Sequence, residues 1–174
     1  ALYTCSPELL KKAKELANRY RVPLATHLLE NRAEVKQLEE RFGKSATRFL
    51  EEMGLLDERF IAFHCVMMDE EDMHRFADHG CKVVHNPESN MKLASGAAPV
   101  PAMLRQGIIV GLGTDGCASN NNLDMFQEMD TAAKLGKVAL LDPTVMPARS
   151  VLRMATCDGA RVLGMQRLIG SLEA

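Results

Sequence analysis

Phe60-Ile61-Ala62-Phe63-His64 is one of four short apolar segments in this chain that each run into a polar residue suited to metal or proton chemistry. The others are Leu24-Ala25-Thr26-His27, Lys82-Val83-Val84-His85 and Ile108-Ile109-Val110-Gly111-Leu112-Gly113-Thr114-Asp115. As parallel strands, the four segments would bring three histidines and one aspartate to one end of a sheet. The carboxyl ends of parallel strands are where α/β proteins place their chemistry. The pattern therefore favours an enzyme.

Helical patterns alternate with these segments, which predicts an α/β fold with a parallel sheet and right-handed crossovers. The predicted strands are 22–28, 60–66, 81–85 and 108–112, and the polar stretch 86–99 is predicted to be a loop. The predicted helices are about 7–20, 32–42, 45–53, 69–79, 100–106, 123–135, 144–154 and 157–163. An eight-stranded barrel typically needs about 250 residues. The chain is therefore either a small open sheet or half of a larger barrel.

Composition excludes several classes of protein. A net charge of −2 and an isoelectric point near 6.2 give no electrostatic footprint for nucleic acid or an anionic membrane. No apolar run is long enough to span a bilayer, and residues 1–7 do not resemble a signal peptide. The five cysteines are odd in number and lack CxxC spacing, which favours a reducing cytoplasm. We expect both ends to be cuts in a longer chain.

His27 and Glu30 form a His-x-x-Glu pair. On a helix this spacing would place both side chains on one face, as in the di-iron sites of helix bundles. Because 22–26 reads as a strand, we place His27 near the strand end and Glu30 on the outgoing loop, where one could bind a metal and the other handle protons. The alternative is a core histidine and a glutamate that caps the next helix.

His64 and His85 are candidates for different reasons. A histidine in a buried strand such as 60–66 must find a partner, so His64 is either functional or a satisfied core residue. His85 opens the longest polar loop. Asn86, Ser89 and Asn90 follow it and serve either the turns of that loop or a binding site, and His85 is the better functional candidate.

The stretch Gly111–Gly116 matches the G-x-G-x-x-G dinucleotide fingerprint after a strand. We reject that interpretation because Asp115 inside the phosphate cradle would repel a pyrophosphate. The polar run Ser119–Asn122 also postpones the helix whose N-terminus should face the phosphate. A carboxylate surrounded by glycines at a strand end is suited instead to metal ligation or to general base work.

Four motifs occur in order at barrel-like spacing: Thr26–Glu30, Phe63–Val66, His85–Leu93 and Gly113–Asn121. Together they resemble the amidohydrolase superfamily, within it the branch of 5′-methylthioadenosine/S-adenosylhomocysteine deaminases and related chlorohydrolases. The resemblance covers nearly the whole chain. It implies one partial domain, residues 1–174, that forms strands 5–8 of a TIM-like (β/α)8 metal-dependent hydrolase barrel, with the N-terminal half and a small β-sandwich absent.

The resemblance also implies the role of each site residue. His27 and Asp115 would bind one divalent metal ion, usually Zn²⁺ with Fe²⁺ as the alternative. His64 would position or deprotonate the attacking water, Asp115 would accept its proton, and Glu30 would protonate a purine ring nitrogen. Glu30, Asp115 and His85 would contact the substrate. The loop residues Asn86, Ser89 and Asn90 would line the same pocket.

The implied reaction is hydrolytic deamination of 5′-methylthioadenosine or S-adenosylhomocysteine, which are small purine nucleosides, to the inosine analogue and ammonia. The His-x-His pair of the family is absent, so we expect weak metal binding and no turnover from this piece alone. Its edge strands predict pairing with other chains or a homo-oligomer. Two alternatives stay open: triazine dechlorination or guanine deamination by the same residues, and a non-catalytic α/β binding domain.

Overall fold

A computed structural model describes residues 1–173 as a parallel sheet with helices packed on it. The strands are β1 (Leu24–Leu28), β2 (Phe60–His64), β3 (Lys82–His85) and β4 (Ile109–Leu112), and their order in the sheet is β1-β2-β3-β4. Every neighbouring pair is parallel. Sequential parallel strands joined by helical crossovers are the arrangement of a partial (β/α)8 barrel. This confirms the predicted fold class.

The helices are α1 (Pro7–Tyr20), α2 (Arg32–Phe42), α3 (Ala46–Glu52), α4 (Glu70–Asp78), α5 (Pro87–Lys92), α6 (Val100–Arg105), α7 (Cys117–Asn120), α8 (Met125–Leu140), α9 (Ala148–Ala155) and α10 (Cys157–Val162). Local sequence fixes several of their ends. The Ser6 hydroxyl accepts the Leu9 N–H ahead of Pro7 at the first helical position. Asp69 and Asp72 form a reciprocal capping box at the start of α4.

The register aligns the strand ends that carry the candidate residues. His27 lies opposite Phe63, Leu28 opposite His64, and His85 opposite Leu112. The three histidines therefore reach the same edge of the sheet, and Asp115 follows three residues after β4 ends. This convergence depends only on parallel pairing, since the carboxyl ends of parallel strands share one edge.

Alternate residues of β2 enter two separate apolar clusters. Phe60 and Ala62 belong to the large core formed with the surrounding helices, where the Phe60 ring meets Phe76 of α4 edge-on at 6.1 Å. Ile61 instead packs with Val84 and with Val162 of α10 in a small second cluster. A cleft of about 520 Å³ adjoins this cluster and is lined in part by Val84. The second face of the sheet is thus covered only in part, since Ala25 of β1, which pairs with Ile61, is exposed.

The predicted bounds of the first two strands are wrong. The first strand starts at Leu24 because Pro23 has no N–H to pair, whereas the Leu24 N–H bonds the Arg59 carbonyl at 3.0 Å. The second strand ends at His64 because His64 and Cys65 turn into the left-handed region, with φ of 71° and 50°.

The predicted loop 86–99 contains helix α5. Pro87 presets φ at its first position, and Glu88 lies in its first turn. The helix α8 extends to Leu140, beyond the predicted end at 135. No helix among residues 1–173 is long and apolar enough to cross a membrane.

Candidate metal and acid–base site

Three predicted site residues meet at the carboxyl edge of the sheet. One ligand atom from each of His27, His64 and Asp115 lies within 4.8 Å of the other two. The His27 Nε2 atom is 3.9 Å from Asp115 Oδ1, and the His64 Nε2 atom is 4.0 Å from Asp115 Oδ2. The sheet thus brings His27 and Asp115 together although they are 88 positions apart in the sequence.

Turns of unusual backbone conformation aim these side chains. His64 has φ of 71°, Asp115 has φ of 58°, and Leu29 after His27 has φ of 54°. The left-handed conformation costs a non-glycine residue about 1–2 kcal/mol. Such strain persists where surrounding contacts over-determine it and is concentrated at functional sites. Each of the three strand ends therefore carries a local cost at the point where it meets the site.

Two serines hold the Asp115 carboxylate. The Ser89 and Ser119 hydroxyls both donate to Asp115 Oδ2 at 2.7 Å, which leaves Oδ1 facing His27. Partial burial raises the pKa of Asp115, but the hydrogen bonds from Ser119, Ser89 and the Gly116 N–H more than offset it, and the pKa lies below its ordinary value. Asp115 is therefore ionised at neutral pH and presents a carboxylate oxygen to the site.

Asn90 fixes the orientation of His64. The side chain of His64 is 1% exposed, and its Nδ1 atom lies 2.8 Å from the Asn90 side-chain oxygen. A carboxamide oxygen only accepts hydrogen bonds, so neutral His64 carries its proton at Nδ1. The lone pair of Nε2 is then directed towards Asp115. His64 is accordingly equipped to accept a proton or to coordinate an ion.

His27 is the open member of the cluster. Its side chain is 45% exposed, and its ring lies 5.5 Å from that of Phe63. Burial and the neighbouring His64 ring lower the pKa of His27, and the negative charges of Asp115 and Glu30 offset only part of this. The imidazole is therefore neutral at pH 7, the form that binds metals.

Glu30 lies outside the three-residue cluster, on the turn that follows His27. Its backbone N–H donates to Glu34 Oε2 at 2.7 Å, and Glu34 sits in the first turn of α2. The Glu34 side chain is buried, and burial raises its pKa although the Glu30 and Leu29 N–H groups act against this. Glu34 thus anchors the turn, and the Glu30 side chain makes no hydrogen bond or ion pair within residues 1–173.

The remaining predicted residues are all buried at this edge. His85, Asn86, Ser89 and Asn90 are at most 2% exposed. Burial, with the nearby His64, lowers the pKa of His85 to about 3, so this ring is neutral. The His85 Nδ1, Asn86 Oδ1 and Asn90 Nδ2 atoms have no hydrogen-bond partner within the described chain. Ser89 and Asn90 contact Asp115 and His64 directly.

Sequence reasoning missed four polar residues around the site: Ser119, Glu34, Asn120 and Glu128. Glu128 is fully buried on α8, where it accepts from the Asn120 side chain and from the Glu88 N–H. A glutamate at a position of α8 that faces the core was the available signal, since acidic residues are almost never fully buried without partners.

The donor set fits a divalent metal ion. Zinc binds imidazole nitrogen and carboxylate oxygen at about 2.0–2.2 Å, so two ligand atoms of a tetrahedral site stand about 3.3 Å apart. The 3.9 Å between His27 Nε2 and Asp115 Oδ1 needs only a small side-chain adjustment to reach that spacing. Neither residue lines the 520 Å³ cleft among the described residues, so the ion site and the apolar cleft are separate features.

A parallel β/α sheet with histidines and an aspartate at its carboxyl edge is the arrangement expected of a metal-dependent hydrolase barrel. The sequence profile of the amidohydrolase family matches residues 1–174, and the chain belongs to this family. It is 68% identical over 174 residues to 5-methylthioadenosine/S-adenosylhomocysteine deaminase 1 of Syntrophus aciditrophicus. That alignment covers 100% of this chain and 39% of the relative.

Solved structures show the same fold. An adenosine deaminase from Xanthomonas campestris with bound zinc superposes with a TM-score of 0.96 at 41% identity, covering 99% of this chain and 39% of the other. The atrazine chlorohydrolase of Arthrobacter aurescens in complex with zinc superposes at 0.90 and 32% identity, covering 97% and 37%. The chain therefore spans about two fifths of the length of the proteins it matches.

Proposed function

We propose that the chain is a partial barrel domain, residues 1–174, of a metal-dependent deaminase that converts 5′-methylthioadenosine or S-adenosylhomocysteine to the inosine analogue and ammonia. The observation that carries this proposal is the meeting of His27, His64 and Asp115 at one sheet edge. The 68% identity to a deaminase of these substrates supports the substrate class.

His27 Nε2 and Asp115 Oδ1 would hold the metal, which we propose to be Zn²⁺ with Fe²⁺ as the alternative. When bound, the ion would lower the pKa of a coordinated water towards neutrality. His64 then acts through its Nε2 lone pair, which Asn90 keeps unprotonated. Asp115 stays ionised through its two serine donors and accepts the proton of the attacking water.

Glu30 would carry the proton to the substrate. The Glu30 N–H donates a hydrogen bond to Glu34 Oε2 at 2.7 Å, which fixes the backbone of the turn. The Glu30 side chain itself stays free to move. A carboxyl group over the purine ring can protonate a ring nitrogen as water adds to the carbon that bears the amine. The added hydroxyl group returns a proton to this carboxylate, which can then deliver it to the departing ammonia. The proton held by Asp115 restores the Glu30 carboxyl group.

The buried loop residues would act mainly by holding the catalytic side chains. Ser89 bonds Asp115 and Asn90 bonds His64, and we propose that these two residues influence the substrate only through Asp115 and His64. His85 and Asn86 retain unpartnered buried atoms at the same edge, so a water or a substrate atom bound there would satisfy them. Hydrogen bonds of this kind would fix the position of the purine.

A second candidate reaction is hydrolysis of a triazine or of guanine by the same residues. The superposition with the zinc-bound atrazine chlorohydrolase favours it, because the strand-end scaffold is shared at a TM-score of 0.90. Both reactions displace a leaving group from an aromatic ring carbon by water. Substrate contacts from further parts of the barrel would distinguish the two reactions.

The isolated chain would bind metal weakly, because His27 and Asp115 supply two of the three protein ligands of a usual catalytic zinc site. We propose that it acts within a longer polypeptide, here called the full-length polypeptide. The strands β1 and β4 are edges of the sheet, and they would pair with the rest of the barrel or with a second copy. Five free cysteines suit a reducing cytoplasm.

The test is a substrate panel of adenine nucleosides, guanine and triazines on the full-length polypeptide. Ammonia release is the measured signal. We expect the highest kcat/KM for nucleosides with a 5′ thioether. His27→Ala and Asp115→Ala should abolish both zinc content and activity. His74→Ala and Asp130→Ala, on exposed helix surfaces, should change neither. Unchanged zinc content in the first pair would favour a non-catalytic binding domain.

A further inference from the structure

Glu128 is a buried acidic residue that the proposed reaction does not use. Its side chain on α8 is 0% exposed and forms no ion pair within residues 1–173. Burial raises its pKa, and the negative charges of Glu88 and Asp115 add to this, although two hydrogen bonds act in the opposite direction. A buried carboxylate is costly unless hydrogen-bond donors meet it. The donors that meet Glu128 therefore indicate what it does in the structure.

One carboxylate oxygen of Glu128 binds helix α5. Glu128 Oε2 accepts the Glu88 N–H at 3.3 Å, in the first turn of that helix. The next residue, Ser89, donates its hydroxyl to Asp115 Oδ2 at 2.7 Å. This oxygen therefore fixes the segment that supplies the first hydrogen-bond donor of Asp115.

The other oxygen binds the loop that carries Asp115 itself. Glu128 Oε1 accepts from the Asn120 side-chain amide, and that amide also donates to the Thr114 carbonyl at 2.6 Å. Thr114 precedes Asp115, whose φ of 58° needs external support. Ser119, the neighbour of Asn120, supplies the second donor to Asp115 at 2.7 Å.

We propose that Glu128 is a positioning residue for Asp115: one buried carboxylate ties together the two segments whose serines hold Asp115. Only a carboxylate meets the requirement, since both neighbours are N–H donors and both side-chain oxygens must accept. A glutamine would offer one acceptor and set its amide against the second donor. The inference rests on the proposed function in taking Asp115 as a metal ligand and proton acceptor.

The experiment compares Glu128→Gln and Asn120→Ala with Thr131→Val in the full-length polypeptide. Thr131 lies one turn further along α8 and donates to the Glu88 carboxylate at 2.7 Å, so its removal breaks a contact between the same two helices without touching the loop. Zinc affinity is measured by competition with a chelator, and kcat and KM are measured separately. Thermal unfolding gives the folded fraction used to normalise both.

We expect Glu128→Gln and Asn120→Ala each to weaken zinc affinity and kcat by about 10- to 100-fold with a smaller change in KM. The double variant should lose no more than the worse single variant, because both act through one network. Thr131→Val should stay within about twofold of the unmodified protein. If Glu128→Gln fails to fold, Asn120→Ala and the control still give the comparison.

Zinc affinity within about twofold of the unmodified protein in both variants would overturn the inference. So would an equal loss in Thr131→Val, which would indicate general weakening of the helix contact. Losses that multiply in the double variant would also contradict a shared network. Because zinc affinity is measured without substrate, this result depends on Asp115 as a metal ligand but not on the deamination reaction. Absence of deamination by the unmodified protein would refute the reaction alone.

Discussion

Replacement of Asn90 by leucine tests how far catalysis depends on the tautomer of His64. Leucine has nearly the shape of asparagine but offers no acceptor, so the His64 Nδ1–H, now 2.8 Å from its partner, would be buried and unpaired. An unsatisfied buried donor costs about 1–3 kcal/mol. His64 can avoid this cost by moving the proton to Nε2, where it blocks the lone pair that faces Asp115.

The same energy sets the expected loss of activity. About 1–3 kcal/mol corresponds to about a 5- to 150-fold change in the ratio of the two tautomers. We therefore expect Asn90→Leu to lower kcat of the full-length polypeptide within that range and to change KM little. Nitrogen NMR of labelled histidine should show the proton of His64 on Nε2. Asn18→Leu, at an exposed helix position, is the matched control. Full activity with the His64 proton still on Nδ1 would refute the reasoning.

Three further predictions concern the frame of the site. As pH rises above about 4.5, the free energy of unfolding of Glu34→Gln should increase relative to that of the unmodified protein. The reason is that the raised pKa of Glu34 makes its ionisation unfavourable in the folded state, and urea unfolding at several pH values measures the difference. His85→Phe should reduce the stability lost as pH falls from 6.5 towards 3, with His74→Phe as the exposed control, and an unchanged acid profile would contradict it. Gly113→Ala should destabilise the fold by about 1–3 kcal/mol, since its Cβ would lie 2.7 Å from Val84 Cγ1. Unchanged stability would contradict this and would show that Val84 can move aside.

The elements that fix the sheet are readable from sequence because each has a local cause. Continuous apolar runs mark β2, and Ser6 and Pro7 mark the start of α1. Once the strands are taken as parallel, His27 and His64 must share an edge. The convergence of the candidate residues therefore follows from periodicity and topology alone.

The supports of the site are not readable in this way. The bond from Glu128 to the Glu88 N–H joins positions 40 apart, and no local pattern predicts which buried donor a glutamate meets. The left-handed turn at His64 breaks a run that reads as a continuing strand. Helix α5 was hidden by its Asn, Pro and Ser residues, which favour turns equally well. Tertiary hydrogen bonds decide each of these cases.

The central claim is that His27 and Asp115 hold one metal ion at the carboxyl edge of the sheet. Anomalous diffraction at the zinc edge from crystals of the full-length polypeptide tests it most directly. We predict a single peak at this edge about 2.0–2.2 Å from His27 Nε2 and from an Asp115 carboxylate oxygen. A zinc peak bound elsewhere, with these two side chains free of metal, would contradict the claim.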